Sequence, residues 1–373
     1  MRQEHPTRPA VLRALVAGAV SVIRPPQRFA VAASSGIVQQ PGETVVPLTR
    51  CGGAFCTEFE VDLQPFRAVV DTGSPFLLVD GNCASRMWGC FSDSRWSISL
   101  GDRSEEGFGG QDVNVEWRRG LWRVGGQLSP GLSYSPVNFG VVYDSVGKGG
   151  TQAIYMGLAK DRQARVRPTL LEQTDIRSLS FDFIERSMTL ARKPLLPRAV
   201  DAVPLLDLRP LGAPVGPYAF RVHALWVNGA RLLLQRPCVA VIDTGTTGLV
   251  ISESLYDSDE LPLPGAAIRE VQVEALTERG RITHLAASRR RPASKLAEDF
   301  PLICTSVPLP WFESGYSYYK GNSVTRRKQG KVDVVHEAPH VLFLGLAFLS
   351  SSRLTIDTDE ARMVVESKSA DST

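Results

Sequence analysis

The chain has 373 residues, 43% of them hydrophobic and 22% charged, with a formal net charge of +3. That length and apolar share support folded units with cores of their own and argue against a largely disordered or fibrous chain. The small net charge, with no basic face or interleaved aromatics around Arg289-Arg290-Arg291, argues against nucleic acid as a partner.

Residues 1–40 open basic and carry the apolar run Val11 to Ile23, interrupted by Arg13. The run is too short to span a bilayer comfortably and reads as a targeting or pro-segment without fixed structure, with no stable membrane span. It suits the secretory or endomembrane lumen, or alternatively an organelle of plastid type. Arg far outnumbers Lys along the whole chain, so local Arg richness does not separate the two.

From residue 41 onward, short Val/Ile/Leu-rich runs alternate with Gly and Pro turns, which predicts a mostly β protein. Val70-Asp71-Thr72-Gly73-Ser74 places a lone carboxylate after an apolar run and directly before a tight turn. Strands are expected at Phe139–Tyr143 and Phe220–Val227, and short helices at Thr169–Gln173 and Glu253–Tyr256. The Pro-rich stretch Pro194–Pro217 reads as a connection, and 287–295 and 320–331 as exposed loops. A second phrase, Ile242-Asp243-Thr244-Gly245-Thr246, repeats the first.

The repeat extends further. Ile154-Tyr155-Met156-Gly157-Leu158-Ala159 follows the first phrase and Leu342-Phe343-Leu344-Gly345-Leu346-Ala347 follows the second. An apolar strand ending in Gly can pass close to an Asp-bearing loop where a larger side chain would collide. The ordered pair of motifs, present twice, predicts two similar lobes at 41–195 and 196–373, each donating one acid to a shared site.

Two carboxylates brought together suit hydrolysis by an activated water. One ionised acid acts as base toward the water and one protonated acid serves the leaving group, because like charges that close share a proton. Asp71 and Asp243 are the candidates. No Walker-type loop, His-Glu-x-x-His phrase or paired Cys-x-x-Cys occurs, so no metal or other cofactor is expected.

On these phrases the chain resembles the pepsin-like aspartic proteases. The matching segments are Phe66–Val79 and Ala240–Ser252, the two apolar-Gly segments, and Leu354-Thr355-Ile356-Asp357 near the end. Tyr218–Gly229 and Pro168-Thr169-Leu170-Leu171 are closer to the plant-type branch, and the resemblance runs from about 43 to 366, thin between the motifs. It implies a bilobal double β-barrel with a cleft between the lobes, and a monomer that cuts extended peptides or unfolded proteins. It implies that Thr72 and Thr244 lock the loops together, that Gly73 and Gly245 bring amides to the acids, and that Ser74 and Thr246 hold the outer carboxylate oxygens.

The chain departs from the family in two places. The family sets a Tyr on a hairpin over the acids; here Leu100-Gly101 fills that place, and Leu78 stands where a supporting Trp is common. Trp96, Phe108 and Trp117 are the nearby aromatics, with Trp96 and Trp117 read first as strand-face packing residues. The departure motivates an alternative: a weak or inactive relative that binds a peptide or protein partner in its cleft. The resemblance also implies a disulfide closing the loop Cys83–Cys90; Cys51 and Cys56 sit close enough for another, and Cys238 and Cys304 remain as a third pair or as free buried thiols.

Overall fold

The computed structural model describes residues 42–83, 85, 87–108, 111–125, 131–146, 154–160, 168–211, 213, 216–261, 265–289, 300–307, 319–320 and 339–367. The expected segment at 1–40, and most of the expected loops at 287–295 and 320–331, lie outside them.

The protein is mostly β, in three multi-stranded sheets, and no closed barrel is found among the described strands. The first sheet runs Tyr319–Lys320, Ile98–Phe108, Gln111–Val124, Ala54–Val61, Gln64–Asp71, Tyr155–Gly157; Thr49–Cys51, Leu78–Asp80 and Leu132–Val146 also belong to it. The second runs Ile282–Ser288, Glu270–Leu276, Ala219–Val227, Cys238–Ile242, His340–Leu344, Leu249–Ser252, Cys304–Val307, with Ala230–Arg231 paired to Ala219–Val227.

Burial follows from position in these sheets. Glu270–Leu276 alternates buried and outward residues, as a strand with one solvated face does. Cys238–Ile242 is buried at every position because both its faces are covered: Cys238, Ala240 and Ile242 join the main core, and Val239 and Val241 a smaller cluster with Leu208 and Val341. The expected strands at Phe139–Tyr143 and Phe220–Val227 fall inside Leu132–Val146 and Ala219–Val227. The short helix Glu253–Tyr256 forms as expected, and Thr169–Gln173 contains one 3-10 turn at Leu171–Gln173.

The third sheet joins early and late parts of the chain. Its order is Glu43–Pro47, Ser187–Ala191, Ser178–Asp182, Ser352–Asp357, Arg362–Ser367, Val203–Pro204. Buried Asp357 accepts hydrogen bonds from Ser178 Oγ, from Leu195 N at 3.0 Å and from Leu196 N at 3.1 Å. Arg362 donates to the carbonyls of Leu196 at 2.9 Å and Pro197 at 2.8 Å. The Pro-rich connection is thereby fastened to the C-terminal strands.

Two of the three cysteine pairings are present: Cys51–Cys56 and Cys83–Cys90 are disulfides. Cys238 and Cys304 are free, which corrects the third pairing. Cys238 opens the strand Cys238–Ile242 and Cys304 opens Cys304–Val307, and two strands, His340–Leu344 and Leu249–Ser252, stand between them. The strand spacing of about 4.8 Å alone sets them about 14 Å apart across the sheet, beyond the ~7 Å limit for a bridge. The register adds to this by placing Cys304 level with Ile242, at the other end of the Cys238 strand.

Candidate active site

Each Asp sits at the exit of a buried strand. Asp71 ends Gln64–Asp71, and Asp243 follows Cys238–Ile242. Each strand runs parallel to its apolar-Gly partner: Asp71 pairs with Gly157, and Ile242 pairs with Leu344 while Asp243 N donates to Leu344 O at 3.1 Å. The glycines are required by space. A Cβ on Gly157 would lie 2.6 Å from the Pro75 carbonyl carbon, and one on Gly345 would lie 2.7 Å from Gly248 O.

The two loops interlock through their threonines. Thr72 N donates to Thr244 Oγ1 at 3.1 Å, and Thr72 Oγ1 donates to Ile242 O at 2.8 Å. In mirror fashion Thr244 N donates to Thr72 Oγ1 at 3.0 Å, and Thr244 Oγ1 donates to Val70 O at 2.7 Å. All four bonds are buried, so each is made without competition from water.

The carboxylates are held alike. Gly73 N donates to Asp71 Oδ1 at 2.7 Å and Ser74 Oγ to Oδ2 at 2.5 Å. Gly245 N donates to Asp243 Oδ1 at 2.9 Å and Thr246 Oγ1 to Oδ2 at 2.7 Å. Each acid lies over the opposite loop. A Cβ on Gly73 would stand 2.8 Å from the Asp243 carboxylate, and one on Gly245 would overlap Asp71. Each carboxylate thus packs against the opposite loop, close enough for its charge to act on the other acid. Burial first, and then the Asp243 charge, raise the Asp71 carboxyl well above its ordinary value, against the lowering pull of Ser74 and Gly73.

Around this pair the aromatic residues take different roles. Trp117 is a core residue, as its packing reading anticipated: it donates from Nε1 to Ser104 Oγ at 2.8 Å and meets Phe76 edge-on with ring centres 4.8 Å apart. Phe76 follows the Asp71 loop, so Trp117 braces that loop from behind. Trp96 is not a packing residue; it is 57% exposed, with the Arg95 guanidinium 4.7 Å from its ring centre. The Phe108 side chain lies outside the described residues.

The hairpin is arranged differently from the expectation. Leu100 and Gly101 do not form its tip. They occupy a bulge between the pairs Ser99↔Arg118 and Asp102↔Trp117, and the ladder continues to Phe108↔Gln111. Gly101 has φ +67°, which places the extra residues at little steric cost, so the strand passes through where a turn was expected.

Tyr155 is a site neighbour that the sequence reading did not single out. Burial pushes its phenol well up, with further raising by the charges of Asp71 and Asp243. The available signal was its place in the motif, two residues before the Gly that pairs with Asp71.

A cavity of about 860 Å³ lies elsewhere, lined by residues including Arg221, Leu233, Arg236 and Cys238; the Asp pair does not line it. Beside it, buried His340 contacts Ser254 Oγ at 3.1 Å and Glu260 Oε1 at 3.2 Å. Burial lowers that imidazole's pKa, and burial also pushes the Cys238 thiol up to about 12. This is a satisfied core network. Cys238 is correspondingly inert as a nucleophile.

Comparison of the sequence with known protein families finds no match, and comparison with curated proteins finds none either.

Proposed function

We propose that the protein is an aspartic endopeptidase of the pepsin-like kind, hydrolysing peptide bonds of extended or unfolded substrates between two β lobes, 41–195 and 196–373. The observation that carries this reading is the matched placement of Asp71 and Asp243, each held by its own loop's amide and hydroxyl and lying against the glycine of the opposite, interlocked loop. In this reading the dyad's one proton faces the scissile carbonyl while the ionised acid draws the proton from a water between them. The proton then passes to the leaving amine, so that one pair of groups serves as both base and acid. The chain's own residues supply every group needed. The two disulfides fit an oxidising compartment. No helix among the described residues is long and apolar enough to cross a membrane.

The test is proteolysis of a denatured protein from about pH 3 to about pH 7, with Asp71→Asn and Asp243→Asn as separate variants. Each variant is expected to lose at least about 100-fold in rate, the scale of a missing acid or base. Undiminished cleavage by either variant ends the proposal. A wild-type chain that binds peptides tightly and cuts none favours the partner-binding alternative.

A further inference from the structure

Tyr155 opens the strand Tyr155–Gly157, which runs parallel to Gln64–Asp71 with Val69↔Tyr155, Val70↔Met156 and Asp71↔Gly157 in register. Side chains alternate along a strand, and paired residues of neighbouring strands share a face. Ile154 and Met156 are wholly buried in the core. Tyr155 therefore stands on the other face, the one that carries Asp71. Gly157, directly beside Asp71, has no side chain to come between them. A diagonal neighbour two residues away in a sheet is within reach of a long aromatic side chain.

The second half of the chain supplies a comparison. There Val241↔Phe343 and Ile242↔Leu344 repeat the register, which puts Phe343 where Tyr155 stands in the first half. The ring recurs and the hydroxyl does not. The pair's surroundings are otherwise matched, down to Ser74 and Thr246 on the outer oxygens. The phenol of Tyr155 stays protonated wherever the dyad titrates, since burial and both acids oppose its ionisation. It can serve there only as a hydrogen-bond donor or acceptor, never as a charged base.

Resting on the proposed proteolysis, we infer that Tyr155 is a further catalytic residue, whose hydroxyl donates a hydrogen bond to the oxyanion that forms on the scissile carbonyl over the Asp pair. The bulged strand at Leu100-Gly101 offers only an aliphatic side chain and a glycine, whereas Tyr155 is a donor fixed on a core strand. A donor held on rigid structure and aimed at developing charge acts mainly in the transition state.

The test is Tyr155→Phe, which keeps the ring and copies the Phe343 arrangement. The variant is expected to lose about 10- to 100-fold in kcat with KM changed by less than about 2-fold, somewhat below the loss for a main oxyanion donor. Its affinity for a statine-type peptide should fall by a similar factor, while that for the matching peptide without the hydroxyl stays level. A purely structural role would lower both affinities together, or the unfolding temperature, and would overturn the inference. So would wild-type kcat.

A second measurement does not depend on turnover. With ring-labelled tyrosine, the Tyr155 carbon signal should follow the dyad's titration in the wild type and lose that response in the Asp71→Asn/Asp243→Asn double variant. An unresponsive wild-type signal overturns the placement itself. A responsive signal in a protein that cuts nothing and does not bind the statine-type peptide would instead overturn the proteolytic reading, and the oxyanion role with it.

Discussion

Burial and the facing Asp243 hold the Asp71 carboxyl well above its ordinary value, so the native protein binds a proton there more readily than the unfolded chain does. A folded-state pKa raised in this way gives stability that is greatest in acid and is lost as pH rises through the raised value. Asp71→Asn removes the titration. It should therefore raise the unfolding temperature at about pH 7 by a few degrees, while near pH 4 the variant and the wild type should differ little. Calorimetry at the two pH values checks both the sign and the window. The variant that unfolds later at neutral pH is also the one expected to lose activity, as when a buried site holds like charges together for chemistry. Much of this was legible in the sequence, because Asp-Thr-Gly states its own local geometry: an acid at a strand exit, then a turn that only small residues allow. The Ser74 and Thr246 bonds are equally local, three residues from their acids.

Strands and hairpins were harder to read. Leu100-Gly101-Asp102 has the composition of a turn, yet cross-strand pairing carries the ladder past it to Phe108↔Gln111, and the two residues are absorbed as a bulge. Pairing partners lie far off in sequence, so no local signal could reveal that outcome. The free thiols had the same cause: parity of cysteines says nothing about strand order, and order is what separates Cys238 from Cys304. Tyr155 escaped notice because it reads as one more apolar-run aromatic until the parallel register puts it on the face of Asp71. The Gly motifs were legible for a physical reason. At Gly157 an added methyl group meets the backbone of 74–76, which cannot yield as a side-chain tip can. Gly157→Ala is expected to destabilise the protein by about 2 kcal/mol or more through overpacking, seen as a lowered midpoint in urea. A tolerated alanine with an unchanged midpoint would mean that the strand and loop can separate freely.

At the scale of the whole molecule, Ser178–Asp182 pairs with Ser352–Asp357 inside the third sheet, with Thr355 Oγ1 and Ser180 Oγ 2.9 Å apart across the join. A fragment ending near residue 195 would present that strand's edge unpaired, and exposed edges recruit other chains. Expressed alone, 41–195 should aggregate. Co-expression with 196–373 should return soluble material that elutes as a single complex in gel filtration, whereas a soluble lone fragment would show that the shared sheet is dispensable. The reciprocal threonine bonds have a related consequence. Each side chain grips the main chain of the opposite loop, so sliding one loop past the other must break bonds at both ends of the clasp. The clasp thereby fixes the two acid-bearing loops relative to each other. On the proposed reading, a substrate of any girth would meet the same fixed gauge between the acids.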